Sequence, residues 1–553
     1  MRAFTIPLVV CTAVVLSSPV AAVNDEAPPS VASDFVAAGP AERLPSPIAA
    51  ALGALTPDAL GAHITFLASP TLEGRGLGER GLDVAAEYAA ASLKLAGIPP
   101  LAPDGQAGGA SYFQPVPVRE ISGWNGEVVV ERHDADRTVS REFATGADCV
   151  FPVMAPGSIT APVVFASHGI QEPTLGRDDF RGVDARGKIV VELAGVPDGE
   201  AWQAPELIER YAAKKPGERW AAKLATARRE GAVGLLAVDD SALAAKPDDD
   251  EDQAEKRYFL SNDAAAAAQP SPIVRVSSVV ADALLAGGGP DHASARTALP
   301  QPLDGVTATI RLTGTERPFA SRNVLGFLVG GDPKLRHDAV VLGAHMDHLG
   351  KSGSVVYPGA DDNASGVAAL IEIARAFAAS KHRPRRTVVF AFWTGEEEGK
   401  FGSGYFVRHP AWPLGHVAAY LNLDMIGHPW AIDEIKKLVA DTGLPDGEGF
   451  LAAVKPANFA EAGLPANAPA LAEALRRAAR ATGLALHLDY TEGVNGGSDY
   501  RDFARAGVPF IRFFGNFFPA YHEPGDTAEA LDFTQVHRIA RLALVTAWLL
   551  ADR

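Results

Sequence analysis

From Asn323 onward, short apolar segments alternate with longer amphipathic segments along the chain. Near-continuous apolar strands are buried on both faces, which happens when helices cover both sides of a mostly parallel sheet. The alternation therefore predicts an α/β domain, with a mixed, mostly parallel sheet sandwiched by helices. The predicted strands are 339–344, 387–393, 417–423 and 509–514, and the predicted helices are 367–377, 470–482 and 534–550.

The first 48 residues predict a signal peptide and a leader. Residues 1–22 contain Arg2, an apolar run from Leu8 to Leu16 and small residues ending at Ala22. This order is typical of a signal peptide, and the apolar run is too short to span a bilayer. Residues 23–48 are rich in Pro, Ala, Ser and acidic residues, which predicts a disordered leader. We therefore expect a periplasmic or secreted protein.

The remainder of the 553 residues is long enough for about two to four domains. Short β-branched runs between residues 131 and 315 predict an inserted β-rich module. The insertion divides the main domain into an N-terminal part, 49–130, and a larger part, 316–553. We found no cluster of chemically active residues in the insertion.

Composition excludes some partners. A net charge of −17 argues against nucleic acid, because binding phosphates requires a basic face. No run after the signal peptide is long enough for stable membrane insertion. Once Cys11 leaves with the signal, Cys149 alone remains, so no internal disulfide is expected. The oligomeric state stays open.

Residues that bind metals follow the predicted strands. In open α/β sheets, ligands bind beyond the carboxyl ends of the strands. Strand 339–344 leads into a His-Met-Asp-His segment, strand 387–393 into three adjacent glutamates, and strand 417–423 into an aspartate; a turn with paired aspartates opens helix 367–377. The residues concerned are His345, Asp347, Asp361, Asp362, Glu396, Glu397, Glu398, Asp424 and His522.

Each of these signals has an ordinary structural interpretation when it is taken alone. His345 could be a structural histidine, the aspartates near residue 362 a helix cap, and the glutamates a solvated loop. Their joint order, with two histidines and several carboxylates at strand ends, favours a pair of metal ions. Mixed imidazole and carboxylate ligands suit zinc first, with cobalt or manganese as substitutes. Asp347 could fix the tautomer of His345 through the second ring nitrogen.

These residues resemble the M28 family of zinc peptidases, in a zinc exopeptidase-like fold. The resemblance extends from about residue 55 to the C-terminus. It also includes the inserted module, which is similar to the protease-associated (PA) domain. The segments that carry it are Leu72–Arg75, Asp184–Val190, Gly343–His348, Gly359–Asn363, Glu396–Glu397, Asn422–Met425 and Tyr521–His522.

The resemblance implies a role for each residue of the site. It implies that His345 and Asp424 bind one zinc, that Glu397 and His522 bind the other, and that Asp362 bridges them. Glu396 would be the general base, and Asp347 would orient His345. Apart from the resemblance, the position of Tyr521 next to His522 predicts that it stabilises the oxyanion of the intermediate. A cis peptide is expected between Asp362 and Asn363. The segment Ser498–Tyr500 departs from the family, in which many relatives have Ser-Asp-His.

The expected function is removal of N-terminal residues from peptide substrates. A carboxypeptidase of the glutamate-releasing type has the same architecture, but no surplus of arginine near the motifs favours it. A non-catalytic, receptor-like binding protein is the alternative from another class, although all five candidate ligands are present. A Gly-x-Gly-x-x-Gly segment at 76–81 follows no β-run, so it lacks the context of a dinucleotide site.

Overall fold

The computed structural model describes residues 34–553 apart from 38–42, 104–109, 135, 147, 152–155, 214–215, 241–255, 262–271, 287–294, 296–297 and 381. The predicted signal peptide and most of the predicted leader lie outside the described residues. No helix within the described part of the chain has the length and apolar character needed to cross a membrane.

The strands are named β1 to β22 in chain order. Their bounds are β1 Asp34–Val36, β2 Ala102–Pro103, β3 Ala110–Ser111, β4 Phe113–Asp134, β5 Arg137–Ala144, β6 Cys149–Val150, β7 Gly157–Phe165, β8 Gln171–Glu172, β9 Arg177–Asp178, β10 Ile189–Leu193, β11 Gly234–Val238, β12 Lys256–Leu260, β13 Ile273–Val276, β14 Gln301–Leu328, β15 Ala339–His345, β16 Lys351–Ser352, β17 Val355–Val356, β18 Thr387–Trp393, β19 Val417–Leu423, β20 Phe459–Leu464, β21 Ala485–Tyr490 and β22 Phe510–Phe514.

The α-helices are named in the same way, and short 3₁₀ turns lie between them. Their bounds are α1 Ser46–Ala54, α2 Pro57–Leu67, α3 Arg80–Leu95, α4 Pro205–Ala212, α5 Pro216–Arg229, α6 Ser278–Leu285, α7 Gly366–Ala379, α8 Phe401–Arg408, α9 Ile432–Thr442, α10 Gly447–Ala453, α11 Pro469–Thr482, α12 Tyr500–Arg505 and α13 Phe533–Ala551.

The main sheet is mixed and mostly parallel, which confirms the predicted fold class. Its order is β1-β21-β20-β22-β19-β15-β18-β14. Strands β15 and β18, β15 and β19, and β19 and β22 pair in parallel, whereas β14 is antiparallel to β18. Helices α1, α2, α3, α7, α11 and α13 pack on one face, and α8 and α12 pack on the other. All residues of β15 and β18 are buried, as expected for strands covered on both faces.

The insertion is joined to the main domain by two long paired strands. Strand β4 pairs antiparallel with β14 from Phe113 to Arg132, with an irregularity near Thr313. One end of β14 pairs with β18, and the other end pairs with β7 of the insertion. The predicted boundaries at 130/131 and 315/316 therefore fall inside continuous strands. Buried and more exposed residues alternate along much of β4 and β14, so each strand has one face toward a core and one toward solvent. Both strands are longer than any apolar run in the sequence.

The insertion has its own hydrophobic core. Strands β7, β10, β11 and β13 are parallel neighbours, and helices α4, α5 and α6 lie in the same segment. One cluster of buried side chains lies between Val128 and Leu312, and a second between Val164 and Ala237. The chain from about 126 to 312 is therefore packed as a unit of its own.

The leader predicted to be disordered contains ordered structure at two places. Strand β1 pairs antiparallel with β21, and Phe35 packs against Phe450 and His487. Helix α1 begins at Ser46, two residues before the predicted end of the leader. The pairing of β1 with β21 and the packing of the half-buried Phe35 ring order this segment despite the polar composition of the leader.

Candidate metal centre

The candidate site lies where the carboxyl ends of neighbouring strands meet. Because β18, β15, β19 and β22 are parallel and adjacent, the residues that follow them lie along one edge of the sheet. His345 is the last residue of β15, Asp424 follows β19 directly, and Glu397 lies four residues after β18. His522 comes from the loop between β22 and α13.

The five predicted ligands converge around Asp362. His345 Nε2 lies 3.3 Å from Asp362 Oδ1 and 3.3 Å from Asp424 Oδ1. On the other side, His522 Nε2 lies 3.1 Å from Asp362 Oδ2 and 3.3 Å from Glu397 Oε2. The two oxygens of Asp362 thus face two different sets of donors, as a bridging carboxylate requires. Whether each residue is a ligand stays a prediction.

Two groups of side chains in the described part of the chain have the geometry to hold a metal ion, and they share Asp362. The first group is His345, Asp362 and Asp424; the second is His348, Asp362 and Glu397. Within each group the ligand atoms lie within 4.8 Å of one another. Imidazole and carboxylate ligands in this number fit two zinc-type ions with one shared carboxylate.

Asp362 is held in a turn that departs from helical geometry. Gly359 begins the turn with φ +60, and a Cβ there would lie 2.2 Å from the carbonyl oxygen of Asp362. The side chain of Asn363 donates to the carbonyl of Leu423 at 2.9 Å, which connects the turn to the end of β19. The peptide between Asp362 and Asn363 is cis, as predicted.

The contact between Asp347 and His345 differs in detail from the prediction. His345 Nδ1 lies 3.2 Å from the backbone oxygen of Asp347 but 3.8 Å from its nearer carboxylate oxygen. The other carboxylate oxygen accepts the backbone N–H of Glu397 at 3.2 Å. Asp347 therefore lies on the Nδ1 side of the His345 ring, and Nε2 of that ring faces the proposed metal position. The Asp347 side chain also fixes the loop that carries Glu397.

Glu396 lies beside the ligands and is buried. Lys400 Nζ lies 2.9 Å from Glu396 Oε1, so the carboxylate has a cationic neighbour. Burial nevertheless raises the pKa of Glu396 well above its usual range, and Glu397 adds to this effect. A carboxyl group with a raised pKa and hydrogen-bonding capacity next to a metal site is suited to accept and release a proton.

Electrostatics in the pocket favour bound cations. Burial alone would lower the pKa of His345, but Asp424 and Asp362 together raise that pKa well above its usual value. Burial opposes protonation of His522 as well, yet hydrogen bonds with Asp362 and Glu397 raise its pKa to about 10. A concentration of buried carboxylates that stabilises protons on imidazole also stabilises divalent ions, which would displace those protons.

Sequence reasoning gave no role to His348, which is fully buried in the site. Its Nδ1 lies 2.6 Å from Glu397 Oε1 and 3.8 Å from Asp362 Oδ2. The second metal position thus has two histidines close to it, His348 from the buried side and His522 from the half-exposed side. The signal that could have revealed it is a second histidine three positions after His345.

Other predicted residues surround the ligands. Tyr521 is partly exposed, and its ring centroid lies 3.9 Å from that of His522. Ser498 donates to the second carboxylate oxygen of Asp424. Asp499 is fully buried, which raises the pKa of its carboxyl group to about 7. Tyr500 stacks on Phe510, which explains why an aromatic residue stands there: it packs α12 against β22.

Comparison with known proteins adds to this geometry. Residues 323–547 match peptidase family M28. The leupeptin-inactivating enzyme 1 of Streptomyces exfoliatus is 32% identical over 155 residues, which are 26% of this chain and 34% of that enzyme. A probable zinc metalloprotease of Leptosphaeria maculans is 28% identical over 281 residues, 47% of this chain and 60% of the relative. A probable leucine aminopeptidase 2 of Aspergillus oryzae is 39% identical over 108 residues, 19% of this chain and 20% of the relative. The chain therefore spans only part of the length of these relatives.

A solved structure aligns over most of the chain. The aminopeptidase from Aneurinibacillus sp. strain AM-1 has a TM-score of 0.49 and 19% identity, over 91% of this chain and 96% of that one.

The sheet and the two groups at its edge define an α/β domain with a candidate two-metal site. Residues 323–547 of this domain match peptidase family M28. This segment contains all five predicted ligands and the sheet edge from which they project.

Proposed function

We propose that this chain is an exported two-zinc aminopeptidase that removes N-terminal residues from peptides. The observation that carries the proposal is the convergence of His345, Asp424, Glu397 and His522 on the two oxygens of Asp362. The relatives include a probable leucine aminopeptidase and probable zinc metalloproteases. These names support zinc as the metal and cleavage at the amino end of the peptide. Export is supported by the predicted signal peptide, residues 1–22.

The chemistry follows from the residues of the site. When bound, a zinc pair lowers the pKa of water and polarises the scissile carbonyl. Glu396, buried beside the ligands, would take a proton from the attacking water and return it to the leaving amine. Tyr521, adjacent to His522, would donate to the developing oxyanion. Cobalt or manganese would be expected to substitute for zinc.

We also propose that the inserted module is a PA domain. Its separate core and its connection through β4 and β14 support a module that folds around its own interior. Tyr258 of β12 packs edge-to-face on Phe319, at a ring distance of 6.2 Å, close to where the insertion joins the main domain.

The function is tested with blocked and free peptides. We expect hydrolysis of Leu-p-nitroanilide and of free peptides such as Leu-Gly-Gly, and about 100-fold or greater loss of kcat/KM when the amine is acetylated, since a buried site rejects a substrate that leaves its polar groups unpaired. An acyl-Glu dipeptide serves as the matched control for release from the carboxyl end. Cleavage of that control in preference to Leu-p-nitroanilide would support the carboxypeptidase instead, and zinc uptake without hydrolysis of any peptide would support a binding protein.

Replacement of the two histidines at the second metal position, His348 and His522, is expected to affect zinc binding differently. His522→Ala should leave about one zinc per chain, because it removes an assigned ligand and the residues of the first group remain. His348→Ala should keep two zinc ions with affinity lowered by about 10-fold, as expected for a residue that supports Glu397. Zinc content after dialysis, measured by atomic absorption, gives the answer. The reverse pattern would assign the ligand to His348.

A further inference from the structure

Arg75 is a buried arginine outside the segment that matches the peptidase family, and it has no assigned role. Only 1% of it is exposed. Its guanidinium donates to four backbone carbonyls: Nη1 to Leu67 at 2.6 Å and Pro358 at 2.7 Å, Nε to Met346 at 2.8 Å, and Nη2 to Gly359 at 2.8 Å. The planar guanidinium therefore binds carbonyl groups on three separate segments of the chain.

Two of these segments carry the proposed metal ligands. Met346 lies between His345 and Asp347, and Gly359 begins the turn that carries Asp362. The backbone oxygen of Arg75 also accepts the N–H of His348 at 3.3 Å. A single side chain thus connects the loop after β15 to the turn of the bridging carboxylate.

Asp526 contacts the same turn by accepting hydrogen bonds from the backbone amides of the turn. Its Oδ1 accepts the N–H of Asp361 at 2.8 Å, its Oδ2 accepts the N–H of Asp362 at 3.1 Å, and its backbone oxygen accepts the N–H of Ala360 at 3.1 Å. Asp526 is fully buried and follows His522 by four residues. Charged groups form stronger hydrogen bonds than neutral ones, so both contacts are suited to hold the turn firmly.

The backbone around Arg75 is held in a costly conformation. Glu73, Gly74 and Arg75 have φ values of 47, 72 and 57, in the left-handed region. At Gly74 a Cβ would lie 2.1 Å from the carbonyl oxygen of Gly350 and 2.4 Å from that of Tyr357. Such strain persists where surrounding contacts hold the backbone in place. Here the strained backbone directs the guanidinium of Arg75 toward the site.

We propose that Arg75 and Asp526 are positioning residues that hold the turn of Asp362 from opposite sides, by its carbonyls and by its amides, and so set the affinity for the metal pair. The inference rests on the proposed two-zinc function. Metal affinity depends on ligands fixed in advance, and residues that orient ligands affect it by about 10- to 100-fold.

The test uses Arg75→Lys and Asp526→Asn in the full chain. Lysine keeps the charge, but one nitrogen cannot reach carbonyls on several sides; asparagine keeps only one acceptor for the two amides. We expect about 10- to 100-fold weaker zinc binding in each variant, measured by competition with a chromophoric chelator at a temperature well below unfolding. Because both residues hold one turn, the double variant should lose less than the product of the two single losses.

Arg386→Lys is the matched control. Arg386 also donates to backbone carbonyls, those of Leu550 at 3.1 Å and Arg553 at 2.6 Å, but it lies at the amino end of β18, away from the site. This variant should melt at a lower temperature with zinc affinity unchanged.

The outcomes separate the two proposals. Wild-type affinity in both site variants, with or without a lower melting temperature, would overturn this inference and leave the proposed function standing. Should Arg75→Lys fail to fold, Asp526→Asn decides alone. A wild-type protein that takes up no zinc would refute the proposed function together with this inference.

Discussion

Replacing Glu396 by Gln is expected to lower kcat by about 10²- to 10⁴-fold, the usual contribution of a general base. The amide has nearly the same shape but cannot take a proton from water. Because Glu396 is absent from both ligand groups, zinc content should stay near two per chain. The measurement is kcat with Leu-p-nitroanilide together with metal analysis of the same preparation.

Glu398→Gln is the control for Glu396. The two glutamates lie in the same loop, but Glu398 is exposed and belongs to neither ligand group. It should keep kcat within about twofold, as surface substitutions usually do. Near wild-type activity of Glu396→Gln would remove Glu396 as the base, and a joint loss of zinc and activity would make it a structural part of the metal site instead.

Asp362→Ala is expected to remove both metal ions, because the two ligand groups share this residue alone. Zinc should fall below one per chain. We expect kcat/KM to fall by more than about 100-fold, the upper end for residues that only support a ligand. Strong chelators should inactivate the wild type in the same way, and zinc or cobalt should restore the wild type but not the variant.

Asp433→Ala is the matched control for Asp362→Ala. Its side chain is 86% exposed and pairs with Lys436 on α9, so its removal should change neither zinc content nor activity. Full activity of the wild type in the presence of a strong chelator would contradict metal catalysis. Retention of one tightly bound zinc by Asp362→Ala would contradict the bridging role.

The central strands could be predicted from sequence because they are buried on both faces, and this burial produces a mostly apolar run in the sequence. Strands 387–393 and 417–423 have the predicted bounds, since each is a mostly apolar run that is followed by a polar residue. Strand β20 was missed because Glu461 lies within it. That carboxylate is buried only because Arg512 and His487 pair with it, at 3.0 and 3.1 Å, and neither partner is visible from local pattern.

The same distinction applies to the site. His345 and Asp424 could be found because strand ends bring them together in any parallel sheet. Arg75, His348 and Asp526 act through contacts that depend on the tertiary fold. Arg75 reaches carbonyls more than 270 residues away in the chain, and no spacing rule predicts which backbone groups a buried guanidinium will meet.

The paired strands β4 and β14 also determine how the insertion can move. A domain tethered by single-chain linkers can tumble, whereas a hydrogen-bonded ribbon resists bending in its own plane and yields mainly by torsion. Through this ribbon the insertion is in hydrogen-bonded continuity with β18, which pairs with β14 and leads into Glu396 and Glu397.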